Sequence, residues 1–229
     1  MSCFWSRASR CMRHLLVIAP LVLSIAPALA CPHPAERVEY AIQHETYGDV
    51  GRHVITFSCQ GNDLVVETRI EGEVKVLMVP LFKRSGSYRE VWRGDRLIAF
   101  DSRTEDNSEV YEVSARANGD HTVINGRRGQ IEAPPTVVSN HPWNHEVVER
   151  TLLFDTQRGR LQKVQVTPAG TETITVGGRT VAAQKYLVSG DLKRELWYDE
   201  AGNWLQSRLE HDGAKVTLTR QSVPVRAGL

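Results

Sequence analysis

The sequence of 229 residues has few cysteines, few aromatic residues and no excess of charge of one sign. Its 28 lysines and arginines against 27 aspartates and glutamates leave a formal net charge of +1, which provides no field for binding nucleic acid. Beyond the N-terminus no long apolar run occurs, which excludes a polytopic membrane protein. The hydrophobic fraction of 41% and the charged fraction of 24% are typical of a folded globular protein.

Several common catalytic motifs are also missing from the sequence. It contains no Gly-x-Ser-x-Gly elbow, no phosphate-binding Gly-x-x-x-x-Gly-Lys loop and no Cys-x-x-Cys pair. These absences exclude the common serine hydrolases, P-loop nucleotidases and thiol oxidoreductases. We therefore expect no cofactor, assign no catalytic residue, and favour a protein without enzymatic activity.

The first 30 residues have the pattern of a signal peptide. Three arginines precede an apolar run at residues 15–25, and the segment ends in Ala28-Leu29-Ala30. Small residues at these positions fit the pockets of a signal peptidase. We expect a signal-peptide helix at residues 1–30, cleavage after Ala30, and a periplasmic or secreted protein without a transmembrane span. A retained membrane anchor is the alternative.

Removal of this leader leaves two cysteines, Cys31 and Cys59. In an oxidising compartment the two are candidates for a disulfide that fastens the new N-terminus to an early strand. The alternative is lipidation of Cys31, which directly follows a small residue as in bacterial lipoproteins. Pro27 and Pro32 disfavour that alternative.

Turn signals rich in Gly, Asn and Asp recur about every ten residues, which is the hairpin period of an antiparallel meander. Between them apolar residues alternate, as at Ile55 and Phe57. The fold class is therefore all-β: an antiparallel meander that forms a curved sheet or partly open β-barrel. The predicted turns include Gln60-Gly61-Asn62, Glu71-Gly72-Glu73, Ser85-Gly86-Ser87 and Arg93-Gly94-Asp95.

One interval interrupts this rhythm. Residues 129–150 contain Pro134-Pro135 and several polar residues, and are too long for a hairpin turn. We expect one long central loop here, and the favoured function uses it as a lid over the sheet. The alternatives are a short helical turn and the crossover between two halves of one sheet system. We prefer a single domain at residues 31–229, with its core at about 37–220, because two separate halves would each have little core.

His141, His145 and Glu146 in this loop are candidate metal ligands. Histidines four residues apart converge when they lie on a helix, but Pro142 between them disfavours one. The alternative is a structured loop in which Trp143 plugs the sheet and Asn144 hydrogen-bonds the backbone. We favour that alternative and expect no bound metal.

Five aromatic residues are candidates for lining a ligand pocket, and the alternative is that they belong to the hydrophobic core. Trp197 and Tyr198 are adjacent on one predicted strand, so their side chains point to opposite faces. We therefore expect one of the two to face solvent or a cavity. The five candidates are Trp92, Trp143, Trp197, Tyr198 and Trp204.

A combination of short strings extends over residues 40–220, and the sequence thereby resembles an uncharacterised family of exported bacterial proteins, known as a domain of unknown function. The resemblance carries over no catalytic residue. More distantly, the closing strands are similar to envelope proteins with a curved, partly open barrel, including carriers that shield lipoprotein acyl chains. This second likeness concerns the fold. The strings are Tyr47-Gly48-Asp49-Val50-Gly51, Glu90-Val91-Trp92-Arg93-Gly94, Ser102-Arg103-Thr104, Trp143-Asn144 and Trp197-Tyr198-Asp199 with Gly202 and Trp204.

Three functions are compatible with these patterns. The favoured one is a non-catalytic periplasmic protein that binds an apolar or amphipathic ligand, such as a small molecule or lipid, on its curved sheet. The second is a metal-assisted hydrolase centred on His141 and His145. The third is an envelope interaction module that pairs an exposed edge strand with an unknown protein partner.

Overall fold

The computed structural model describes residues 36–76, 79–211 and 213–222. The predicted signal peptide at residues 1–30 and Cys31 lie outside the described residues. Within those residues the chain forms one short 3-10 helix, His145–Val148, and fifteen strands. In this part of the chain no helix has the length and apolarity needed to cross a bilayer. The strands are β1 Glu36–His44, β2 Gly48–Gln60, β3 Asp63–Val76, β4 Val79–Arg93, β5 Arg96–Asp106, β6 Glu109–Asn118, β7 His121–Gly126, β8 Gly129–Ala133, β9 Val138–Ser139, β10 Leu152–Phe154, β11 Leu161–Val176, β12 Arg179–Gly190, β13 Arg194–Tyr198, β14 Trp204–His211 and β15 Ala214–Arg220.

All the described strands belong to one sheet, in the order β8-β7-β6-β5-β4-β3-β2-β1-β15-β14-β13-β12-β11-β10-β9. Except for β8 and β9, which are the two edges, strands that follow one another in the chain pair with each other. These pairs are antiparallel, apart from the parallel pair of β9 and β10. Pairing of β1 with β15, which places Tyr40 opposite Arg220, joins the first described strand to the last. The prediction of an all-β antiparallel meander is confirmed.

The two edges of this sheet lie close together. Residues 134–137 connect the edge strand β8 to the edge strand β9, and so short a connection spans at most about 18 Å. A Cβ placed on Gly126 would lie 2.5 Å from the carbonyl oxygen of Arg158, so the β7–β8 turn touches the loop between β10 and β11. The sheet therefore curls into a barrel-like shape, as the predicted partly open barrel requires.

Side chains on the inner face of the barrel form the main hydrophobic core. Alternation along β2 buries His53, Ile55 and Phe57. Phe100 of β5 and Phe154 of β10 are fully buried and meet edge to face, with their ring centroids 5.0 Å apart. Core contacts thus join the two halves of the meander into one unit.

Two of the predicted turns instead lie inside strands. Gly72 is in β3 opposite Arg84, and Gly86 is in β4 opposite Ile70. The β3–β4 hairpin continues past both glycines. The glutamates beside Gly72 and the serines beside Gly86 suggested turns, but they occupy outward-facing positions of two long strands. The turn at Gly61, which has a positive φ of 62°, is confirmed.

The predicted long loop at residues 129–150 needs correction. Its first residues form β8, and residues 138–139 form β9. Residues 137–142 are buried, so this segment lies inside the barrel and the prediction of an outer lid is wrong. The physical reason is that the chain must pass between the two edges of a curled sheet, and there it fills the interior.

Trp197 and Tyr198 are both buried, so the expectation that one of them faces solvent or a cavity is wrong. They do point to opposite faces, and Tyr198 joins the main core. Trp197 packs on the outer face in a second cluster with Val176 and Leu205. The long β11–β12 hairpin covers this face, and Gly177 near its tip approaches the backbone of residues 221–222.

Candidate functional site

A cavity of about 820 Å³ lies at the end of the barrel that carries the β1–β2, β12–β13 and β14–β15 turns. Apolar side chains at alternating positions form one wall of it. Tyr47 and Leu81, both largely exposed, border it at the surface, so the cavity opens to solvent. The apolar wall comprises Ile42, Ile70, Val74, Leu209, Val216 and Leu218.

A glycine on β3 leaves part of the cavity unfilled. On β3, Gly72 stands between Ile70 and Val74, at the position where a third apolar side chain would point inward. A Cβ placed on Gly72 would meet only the carbonyl oxygen of Val50 within 4 Å, at 3.6 Å. Gly72 therefore leaves the interior unfilled at a level where a larger residue fits without backbone strain.

The opposite wall is polar and comes from the β10–β11 and β12–β13 loops and the buried segment after β9. The Asn140 side chain donates to Gln162 at 3.0 Å and accepts from the Thr156 hydroxyl at 3.1 Å. Arg84 Nη2 donates to Gln157 Oε1 at 2.9 Å. The cavity is thus amphipathic: apolar strands face a hydrogen-bonded polar wall.

Arg194 is a cation of this wall that forms no ion pair with a described residue. Its Nη1 donates to the carbonyl oxygen of Asn140 at 2.9 Å. Its Nε is buried without a hydrogen-bond partner. No described carboxylate pairs with it, and burial lowers the pKa of the guanidinium. A desolvated guanidinium with an open donor is suited to binding an anion.

A pair of buried histidines also borders the cavity. Nε2 of His53 lies 2.9 Å from Nε2 of His141, so one ring donates to the other. The two rings stack with centroids 4.9 Å apart. Burial, with a smaller contribution from His141, lowers the pKa of His53 well below its usual value. His53 is therefore neutral in the folded protein at neutral pH.

Behind the histidines lies the buried carboxyl group of Glu90. It accepts from the indole nitrogens of Trp92 and Trp143, at 2.9 and 3.1 Å, and from the Ser139 hydroxyl at 3.3 Å. Nδ1 of His141 lies 3.4 Å from Glu90 Oε1. These contacts form a continuous polar path from Glu90 through His141 to His53 at the cavity.

Comparison with known proteins identifies a family for this chain. Residues 44–221 match the family model of a domain of unknown function, DUF6134. The chain belongs to the DUF6134 family. This confirms the resemblance to an uncharacterised β-rich family.

The structure is similar to the crystal structure of a beta-barrel-like protein of domain of unknown function DUF1849 from Brucella abortus. The TM-score is 0.58 at 12% sequence identity, and the match covers 80% of this chain and 94% of that chain. At this identity the similarity shows the fold alone. No curated protein matches the chain.

The aromatic candidates occupy three different places in this DUF6134 chain. Trp204 borders the cavity and stacks on Tyr40 with centroids 4.0 Å apart. Trp92 and Trp143 bind Glu90 through their indole nitrogens. Trp197 belongs to the outer cluster, and the Tyr198 hydroxyl donates to the carbonyl oxygen of Pro142. Of these five residues, therefore, one borders the cavity.

The metal candidates are not brought together. The ring of His141 faces His53, whereas the ring of His145 packs against Tyr198 with centroids 4.8 Å apart. Glu146 pairs with Arg150. Among the described residues, no group of three or more His, Cys, Asp or Glu side chains is arranged to hold a metal ion. The hydrolase centred on these residues gains no support.

Two further features of this segment follow the sequence analysis. Trp143 packs edge to face on Phe57, and the Asn144 side chain accepts from the backbone N–H of Glu146, as the structured-loop alternative predicted.

Cys59 is disulfide-bonded. Because Cys31 lies outside the described residues, the pairing of Cys31 with Cys59 stays a prediction.

Sequence reasoning missed His53, Glu90 and Arg194. His53 and Glu90 interrupt the apolar parity of their strands, since His53 shares a face with Ile55 and Glu90 shares one with Trp92. A polar residue at an apolar position of a strand is the signal that could have found them. Arg194 carries no such signal, because it stands at the very start of β13.

Proposed function

We propose that this protein binds an amphipathic small molecule or lipid in the barrel cavity, outside the cytoplasm. The observation that carries the proposal is the cavity itself, which at about 820 Å³ has the size of a small-molecule site. A self-filled barrel of this kind would leave no interior volume for a ligand.

The two walls support an amphipathic ligand over a purely apolar one. An alkyl chain placed against Ile42 and Leu218 would exclude water from apolar surface, at roughly 25 cal/mol per Å². The polar wall of Asn140, Thr156 and Arg194 would stay unsatisfied beside such a chain unless the ligand also carried polar atoms.

The leader-like N-terminus and the disulfide-bonded Cys59 support an address in the periplasm or beyond. Intact-mass analysis of the protein from a periplasmic fraction tests this. We expect the mass of a chain beginning at Cys31, lower by two hydrogens for a disulfide. A mass raised by a diacylglyceryl group would instead show lipidation, and recovery with the full leader in the cytoplasm would contradict export.

Binding is tested by native mass spectrometry of the purified protein and by titration with a fluorescent fatty acid. Leu218→Asp places a charge in the apolar wall, and we expect it to abolish binding. Leu187→Asp makes the same change at an exposed outer position and is the matched control. Absence of any co-purifying ligand together with no fatty-acid binding by the wild type would refute the proposal.

A further inference from the structure

Arg194 stands at the border between the two walls of the cavity. On β13 it is the residue next to Glu195, which pairs with Arg208 on β14. Leu209, the next residue of β14, belongs to the apolar wall. On its other side Arg194 donates to the carbonyl oxygen of Asn140 in the polar wall. A group bound at Arg194 therefore lies at one end of the apolar surface.

Arg194 forms no ion pair with any described residue, and the Asp155 carboxylate contributes only a longer-range electrostatic attraction. A buried guanidinium loses its hydration, and proteins normally offset that cost with a carboxylate partner. Two other arginines of this wall have acceptors: Arg84 binds Gln157, and Arg160 Nε binds Asp155 at 3.4 Å. Arg194 has a single neutral carbonyl acceptor and a buried Nε with none.

The nearby carboxylate of Asp155 is already engaged. Its Oδ1 accepts from the backbone N–H groups of Gln157 and Arg158, at 2.9 and 3.0 Å, and its Oδ2 accepts from Arg160. These bonds hold the β10–β11 loop in shape and engage both carboxylate oxygens, so Asp155 attracts Arg194 electrostatically without forming an ion pair with it. A direct ion-pair partner for Arg194 would then come from outside the described residues.

We infer that the ligand is an anionic amphiphile whose carboxylate or phosphate head group pairs with Arg194 while its tail lies on the apolar wall. This inference rests on the proposed function and names the class of ligand. Arginine suits this role because its planar group donates two parallel hydrogen bonds to such an oxyanion.

Three probes with the same alkyl tail test the inference: lauric acid, dodecan-1-ol and dodecyl phosphate. We expect the wild type to bind at least one of the two anions about 10- to 100-fold more tightly than the alcohol, the range of a charge-assisted hydrogen bond. The acid and the phosphate arms distinguish a fatty-acid ligand from a phosphate-bearing one.

Arg194→Gln should remove this preference, so that neither anion binds the variant more tightly than the alcohol does. Arg103→Gln removes the same charge from an exposed outer position, where Arg103 pairs with Glu112, and should change neither affinity. If the wild type binds the alcohol as tightly as both anions, the inference is overturned while the proposed function stands. If it binds none of the three probes, both fail.

A spectroscopic measurement keeps the inference testable should Arg194→Gln fail to fold. The carboxyl carbon of ¹³C-labelled lauric acid reports its own protonation when bound to the wild type. Contact with the guanidinium should shift the titration midpoint below that of the free acid, because a nearby cation favours the carboxylate. A midpoint above that of the free acid would show an apolar surrounding and overturn the inference.

Discussion

The two ends of the barrel interior are built by the same strands but filled in different ways. At the packed end, β2, β3 and β4 contribute Phe57, Val66 and Trp92, which are buried. At the open end, the same three strands contribute Val50, Gly72 and Arg84, and a cavity of about 820 Å³ remains. The number of strands sets the width of a barrel, and side-chain size decides whether that width is filled.

The polar path from Glu90 to His53 marks the boundary between these ends. On the packed side its acceptors are satisfied by indole nitrogens and a hydroxyl. On the cavity side Nδ1 of His53 is buried without a partner. The comparison thus separates a closed, packed region from an open region in which we propose that the ligand binds.

The largest expected effect lies at the packed end. Phe154→Ala should lower the free energy of unfolding by about 3–5 kcal/mol, because it leaves a void among fully buried residues. Leu218→Ala at the open end should cost about 1 kcal/mol, since Leu218 is half-buried beside existing space. Urea denaturation measures the free energy of unfolding of both variants. Equal losses would contradict the distinction between a packed end and an open end.

Glu90→Leu should destabilise the protein by about 3 kcal/mol. It removes the acceptor of two indole N–H groups and one hydroxyl, each of which would be buried without a partner. Glu112→Leu, on the exposed outer face, should change stability by less than about 0.5 kcal/mol. A Glu90→Leu variant as stable as this control would show that the network contributes little.

The buried His53, at the boundary between the two ends, should also make the stability of the protein depend on pH. Folding keeps His53 neutral because burial lowers its pKa, whereas the unfolded chain takes up a proton below about pH 6.5. Acid therefore favours the unfolded state, and stability should fall by up to about 1.4 kcal/mol per pH unit below that point.

Chemical denaturation at a series of pH values measures this slope. His53→Gln retains a hydrogen-bonding group beside His141 and has no ring to protonate, so its slope should be smaller than that of the wild type. Identical slopes in the two proteins would assign the acid sensitivity to other groups.

Among the variants inside the barrel, Gly72→Val should have the smallest effect on stability. Valine suits a strand and its Cβ meets only the Val50 carbonyl at 3.6 Å, so we expect a change within about 1 kcal/mol. Because the side chain enters the cavity, fatty-acid affinity should drop at least about tenfold, which fluorescence titration measures. Unchanged affinity would place the ligand elsewhere.

Part of the fold and little of the site could be predicted from the sequence. Alternation at Ile55 and Phe57 and turn residues such as Gly61 specify antiparallel hairpins, because both signals act between neighbouring residues. The same local rules misplaced turns at Gly72 and Gly86. A glycine that widens a cavity and a glycine that bends a turn look alike until the pairing of the strands is known.

The contacts of the site depend on residues far apart in the chain. His53 meets His141 across 88 positions, and Glu90 meets Trp143 across 53. Neither pair has a spacing that a motif can capture. Trp92 and Trp143 were candidates for lining a ligand pocket, and their role as partners of Glu90 follows only from the way residues 137–142 enter the barrel.

The sequence by itself determined the all-β class, the hairpin order and the family, because each rests on local alternation, turn chemistry or matching residues. Only the tertiary structure decided that the meander closes through β1 and β15, that residues 137–142 lie inside, and that Arg194 meets an open cavity. The reason is physical. Burial and charge pairing depend on how the sheet curls, and curling brings together residues that no local pattern relates.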